Sequence, residues 1–283
     1  MSDMVLVTGG TGKTGKALIA QLQEKRIPYR VASRSGPRPF DWERPATWDV
    51  ALEGIAAIYL VAPSAVNDAF SRMIEFLELA KRKGVSRFVL LSMAFLPAGG
   101  PGHGQVHAWL RDNSSDWAVL GPSAFMQNFS EGPYLASIRN EDTIYSNTGA
   151  GRVSFIDAFD IAAAAVAVLA APEAGNRDYV LTGDETISYD RVAEIISEVC
   201  GRRIVHTRIS TEEMAKRFIE RGIPEATAKL LASGYATIAD GLADWTMDTV
   251  RTLTGKPPKT FEEFAKAHAD VWARGRQADA SSA

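Results

Sequence analysis

Short apolar runs alternate with amphipathic stretches through the first half of the chain. "MVLVT" at 4–8 is continuously apolar, as a strand buried on both faces should be. The signal recurs in "YRVAS" (29–33), "AAIYLVAP" (56–63), "RFVLLS" (87–92) and "WAVLGP" (117–122). Between these runs the apolar positions take helical spacing. In "GKALIAQLQEK", Ala17, Leu18 and Leu22 fall on one face, and "DAFSRMIEFLELAKRKG" (68–84) predicts a long helix stopped by Gly84. Strands alternating with helices predict an α/β fold, a Rossmann-type doubly wound parallel sheet. The segment "GGPGHGQVHAWL" (99–110) lies between the last two of these strands and begins the helix joining them.

Past residue 125 the pattern changes. "VSFIDAFDIAAAAVAVLAA" (153–171) reads as one more strand and a buried helix returning to the sheet, the helix capped at its start by Asp160. "RDYVLTG" and "RIVHTRIS" read as short strands flanking the helix "SYDRVAEIISEVCG", and 210–273 as nearly all helix. The expected organisation is a Rossmann domain over 1–125, with 150–172 returning to its sheet, and a smaller, mostly helical C-terminal lobe over 126–149 and 173–275. A flexible tail over 276–283 completes it.

Composition narrows the class. An apolar fraction of 46% and a net charge of −3 fit a water-soluble globular protein with no global field for nucleic acid. A single cysteine, Cys200, excludes an intrachain disulfide and fits a reducing cytosol. No basic-then-apolar leader opens the sequence, and the most apolar helix is too short to span a bilayer, so the expected location is the cytoplasm, with no membrane partner.

The candidate chemistry begins at "VTGGTGKTG", where Gly9, Gly12 and Gly15 follow a strand and lead into a helix. One glycine permits the turn, one lets backbone approach a diphosphate, and one lets helix and strand pack closely. "GKT" suggests an ATPase phosphate loop, but that motif needs glycine at position 7, which is Val. The turn therefore predicts a dinucleotide, its diphosphate against Thr8, Lys13 and Thr14 as well as the glycines. An acid commonly follows the second strand of an NAD site; here stand Ser33 and Arg34, suited to a 2′-phosphate, so the expected cofactor is NADP(H). Asp41, Ala62, Pro63 and Ser92 complete the expected cofactor contacts.

Many reductases on this fold carry a Tyr-x-x-x-Lys pair whose tyrosine donates a proton. None of the seven tyrosines here has lysine four residues later. His103 and His107 stand in its usual place, four apart and on one helical face. His107 reads as a structural or cofactor-ribose contact and His103 as a candidate general acid. No glutamate or third ligand accompanies them, so no metal is expected. Reducing a ketone creates an alkoxide that needs a proton, whereas reducing an iminium ion yields a neutral amine and needs none. A site without the tyrosine suits an acceptor that already carries positive charge; quinones and cationic dyes are admitted by the same logic.

The runs "TGGTGKTG", "ASRS", "RFVLLS", "GGPGHGQVHAWL" and "SAFMQNFSE" together resemble the NmrA-like group of atypical short-chain dehydrogenases. More narrowly, they resemble its ergot alkaloid biosynthesis subfamily, the agroclavine and festuclavine dehydrogenases. "YLVAP", "FDW", "DYVLTG", "YDRVAEIIS" and "TGKPPKTFEEFA" extend the resemblance along most of the chain. It implies an NADPH-dependent reductase of a cyclic imine or iminium. A departure is Gly121, where such proteins commonly carry arginine before the proline. Phe125, Met126, Asn128 and Phe129 are the expected substrate wall. Two alternatives stand beside the iminium reading: an NADPH-dependent quinone or dye reductase, and a non-catalytic NADP-binding redox sensor of the NmrA type.

Overall fold

The computed structural model describes residues 4–35, 37–63, 66 and 68–273. The tail expected over 276–283 lies outside them. The described residues divide into two compact units, one within 4–123, 158–182 and 247–258, the other within 124–157, 183–246 and 259–273.

The first unit is built on a six-stranded sheet. Its elements run β1 (Met4–Val7), α1 (Lys13–Glu24), β2 (Tyr29–Val31), β3 (Ile55–Leu60), α2 (Ala69–Arg82), β4 (Arg87–Leu91), α3 (His103–Asn113), β5 (Asp116–Pro122), α4 (Ala158–Ala170) and β6 (Arg177–Leu181). The strand order is β6-β5-β4-β3-β1-β2, and every pairing is parallel. Continuous apolar runs form these strands because helices cover both faces. Leu6, Ile58, Leu60, Phe88 and Leu90 share one core with Met73, Phe76 and Leu77 of α2 and Val106 and Leu110 of α3. Full burial of each such side chain contributes about 1.5–3 kcal/mol. α1 is tied to α4 by Gln21, whose Nε2 donates to the Phe159 carbonyl at 2.8 Å.

At the N-terminal edge of the sheet Arg87 ties β4 to β5 and to the end of α4. It pairs with Asp116 at 2.8 Å and donates to the carbonyls of Leu169, Ala171 and Pro172, satisfying the orphan groups where α4 ends. Gly84, at φ +87°, follows α2 as its sequence position predicts.

Three expectations need correction. "DYVLTG", placed in the second lobe, supplies β6, the edge strand of the large sheet, pairing Arg177–Leu181 with 118–122. "VSFI" does not join that sheet; Phe155–Ile156 pairs in parallel with Ala124–Phe125 inside the second unit. Helix α4 begins at Ala158, so Asp160 occupies its first turn instead of capping it. In addition, residues 247–258 belong to the sheet unit and not to the lobe.

Among its described residues the second unit holds three two-stranded ladders and a set of helices, including Tyr189–Cys200, Thr211–Glu220, Glu225–Ala239 and Phe261–Ala267. Ser188 and Ser210 cap two of these through their side chains, and Thr260 with Glu263 forms a capping box at a third. Its core is aromatic: Phe129, Tyr134, Phe155, Tyr189, Phe261, Phe264 and Trp272 are buried together. No helix among the described residues is long and apolar enough to cross a membrane.

Candidate functional site

The strand order reverses between β1 and β3, and at the carboxyl ends of these strands a cleft of about 690 Å³ opens. That is where ligands bind on open α/β sheets. Three stretches of sequence meet there: the turn after β1, the end of β2 and the end of β3. Thr8, Gly9 and Gly12 line it from the first, Ser33 and Arg34 from the second, and Ala62 and Pro63 from the third, with Asp41 beside them. These cofactor candidates are separated along the chain and brought together by folding.

The glycines divide the work by position. Gly9 sits at φ +64°, and a Cβ there would meet Val61 at 2.9 Å. A Cβ on Gly15 would lie 2.2 Å from the Gly9 carbonyl oxygen, so this residue lets α1 close against the turn. Gly10, absent from the candidates, is pressed against Val31, where a Cβ would meet its Cγ1 at 2.5 Å. Gly12 begins α1 with extended backbone and no capping side chain, and the first turn contains no acid. A helix start without an acid or a capping side chain is electrostatically suited to an anion. Thr8 is fully buried, and its hydroxyl accepts from Val61 N at 2.7 Å, binding β1 to the end of β3. Lys13, Thr14 and Gly15 are not on the cleft surface; Thr14 is buried beside the Tyr59 hydroxyl, which burial pushes well above its usual pKa.

At the far end of the cleft Arg34 is exposed and takes part in no ion pair among the described residues. Ser33 Oγ lies 3.2 Å from Ser35 Oγ and accepts from Ser35 N. Asp41 is held by its neighbours: Oδ1 accepts from Glu43 N, and its carbonyl accepts from Trp48 Nε1 at 2.8 Å. Phe40, Trp42 and Glu43 also line the cleft, Trp42 standing edge-on to Phe40 and Phe76. These residues were not singled out in the sequence, although the "FDW" run that holds two of them was.

The candidates near the "GGPGHGQVHAWL" segment take separate places. Ser92 follows β4 with its Oγ buried and without a hydrogen-bond partner among the described residues. His103 opens α3 with its ring edge-on to Phe70 at 4.9 Å, and burial lowers its pKa. His107 is buried against Trp117, and its Nε2 donates to Asp178 Oδ1 on β6 at 2.9 Å. Of the two roles expected of it, structural or cofactor-ribose contact, this bond to the edge strand is structural, and His107 is not among the residues lining the cleft.

These features fit a dinucleotide: a glycine turn leading into a helix with no capping side chain, a cation after the second strand with no ion pair among the described residues, and a cleft of ligand size. The family model described as the NmrA-like family matches residues 104–265, more than half of the chain. The chain belongs to the NmrA-like family. It is 38% identical to agroclavine dehydrogenase of Claviceps fusiformis over 95% of this chain and 98% of that protein. It is 37% identical to an uncharacterized oxidoreductase, YesF, of Bacillus subtilis over 95% and 96%. Among solved structures it resembles an NADPH-dependent quinone oxidoreductase of Escherichia coli complexed with NADPH, at 21% identity and a TM-score of 0.79, covering 93% of this chain and 99% of that one. This last likeness bears on the fold alone.

Within the NmrA-like chain's second unit the wall candidates divide. Met126 and Phe129 are buried in the core, Phe129 against Tyr134, Phe155 and Phe261, and its carbonyl accepts from Trp272 Nε1 at 2.7 Å. Phe125 and Asn128 keep partial exposure. The same unit contains a hydrogen-bonded chain, running from a partly exposed aspartate to a buried serine, that the sequence did not announce. His206 Nδ1 lies 2.9 Å from Asp190 Oδ1, and its Nε2 lies 2.7 Å from Ser146 Oγ. Ser146 is fully buried, so this Ser-His-Asp order has no path to a substrate; it satisfies interior polar groups.

Proposed function

We propose that this NmrA-like protein delivers hydride from NADPH to a cyclic imine or iminium carbon. The protein is an oxidoreductase that uses NADP(H). The glycine turn after β1 would hold its diphosphate, and Arg34 and Ser33 its 2′-phosphate. Bound there, the nicotinamide supplies a hydride. When the acceptor is an iminium, the C=N⁺ electron pair passes to nitrogen and the product amine is neutral, so no side chain need give up a proton.

The observation that carries the reading is the state of the two histidines where a Tyr-x-x-x-Lys pair would stand. His107 is committed to Asp178, and burial lowers the pKa of His103, so at neutral pH its ring lacks the extra proton that an acid would deliver. The kinship to agroclavine dehydrogenase supports the same chemistry. Orientation of the acceptor against the nicotinamide is what the protein contributes. His103→Ala tests this directly. Iminium reduction keeps its kcat and its pH profile in the variant; a fall of about a hundredfold or more, the scale of a lost general acid, contradicts the reading.

A further inference from the structure

The cofactor cleft opens at the carboxyl ends of the strands, and another cleft, of about 450 Å³, opens at their opposite ends. It lies at the amino ends of β1, β3 and β4, between the turn that follows α1 and the end of α4. Ile27, Pro28, Ala56, Leu169 and Ala171 give it an apolar lining. Arg26, Ser86, Arg87 and Asp116 line it with polar groups. Clefts of this size hold small molecules.

The charges in it do not cancel. Asp116 is held on both oxygens: Oδ2 accepts from Arg87 Nε at 2.8 Å, and Oδ1 from Ala174 N at 2.6 Å. The other Arg87 nitrogens donate to the carbonyls at the end of α4. Arg87 and Asp116 thus neutralise each other, and the Arg26 guanidinium is left over. Arg26 is exposed, with no ion pair and no side-chain hydrogen bond among the described residues.

Arg26 also stands where the backbone disfavours it. Ile27 N donates to the Leu22 carbonyl at 2.9 Å and Arg26 N to the Gln23 carbonyl at 3.1 Å, the pair of bonds that ends a helix through a left-handed residue. That residue is Arg26, at φ +57°, in a position that glycine fills most readily. The helix dipole favours a cation at this end, but any residue of the last turn could supply it. The arginine occupies the one strained position, and from there it lines the cleft.

We propose that this cleft binds a small monocarboxylate with an apolar body, its carboxylate paired with Arg26 and its body against the apolar lining. A planar guanidinium meets a carboxylate through two parallel hydrogen bonds. One unpaired cation balances one negative charge, whereas a phosphate dianion would bring a second charge near the Asp116 carboxylate with nothing to meet it. The site is separate from the cofactor cleft and does not depend on the hydride-transfer reading.

The test is titration calorimetry on the NADP⁺-saturated protein, in which the cofactor cleft is filled. It compares 2-naphthoate with 2-naphthamide, which has nearly the same shape and no charge. The carboxylate binds roughly tenfold to a hundredfold tighter than the amide, the span of a charge-assisted pair. Arg26→Gly and Arg26→Gln each bring the carboxylate down to the affinity of the amide and leave NADP⁺ affinity unchanged. Arg26→Gly melts no earlier than the unsubstituted protein, because glycine suits the left-handed backbone, so its lost binding is not lost folding. No binding of the carboxylate to the unsubstituted protein, equal affinity for the amide, or carboxylate binding that survives both substitutions overturns the inference.

Discussion

An arginine at the end of β2 carries its charge into a cleft where no acid pairs with it among the described residues. An unpaired cation beside a ligand site favours an anionic ligand group, and the 2′-phosphate is the group by which NADPH differs from NADH. Arg34→Asp therefore weakens NADPH binding about tenfold to a hundredfold, the span of a lost charge-assisted hydrogen bond, and leaves NADH binding nearly unchanged. Fluorescence titration with both cofactors checks this, and equal losses contradict the assignment. Residue identity made this much readable: Ser33, Arg34 and the glycines are chemical types whose spacing after a strand fixes their task. Histidine was less legible. The positions of His103 and His107 marked them as a pair, but only packing shows that one faces Phe70 and the other holds Asp178.

At the scale of elements, the turn between β1 and α1 works because nothing projects into it. Gly15 is the tightest point, with the Gly9 carbonyl 2.2 Å from where a Cβ would be. Neither atom belongs to a flexible side chain, so Gly15→Ala must displace the turn or the helix. It destabilises the protein by about 1–3 kcal/mol, as overpacking does, and raises the NADPH Kd by roughly an order of magnitude or more. Thermal melts with and without NADPH measure both terms; an unchanged melt with unchanged cofactor stabilisation contradicts this account of the turn. The five strands with long apolar runs and the helices between them were legible from period alone. The sixth strand was readable as a strand but not as a member of the sheet. "DYVLTG" is short and follows a helix that returns from the other unit, and its pairing with β5 is a long-range choice that no local pattern encodes.

For the whole molecule, the chain passes repeatedly between its two units, which is why residues 150–157 and 247–258 were assigned to the wrong one. Boundaries drawn at changes of composition cannot follow such returns. The second unit also sets a limit on acid stability. His206 is buried between Asp190 and Ser146, and desolvation lowers its pKa although the Asp190 carboxylate opposes the shift. Below about pH 6.5 the unfolded chain takes up the proton that the folded His206 resists, so stability is lost as pH falls from there toward the lowered folded value. Tm consequently drops by a few degrees between about pH 7 and pH 5.5, and His206→Gln lessens the drop. An identical pH dependence in the variant removes His206 from the account.

The claim that joins these scales is that the acceptor arrives already charged, so the absent tyrosine is not missed. The direct measurement is NADPH oxidation, followed by loss of reduced-nicotinamide absorbance, with a cyclic iminium and the ketone of matching ring size offered separately to the same enzyme. The account predicts turnover of the iminium and none of the ketone above background. Turnover of the ketone at a comparable rate would contradict it, because some group in the site would then be supplying the proton.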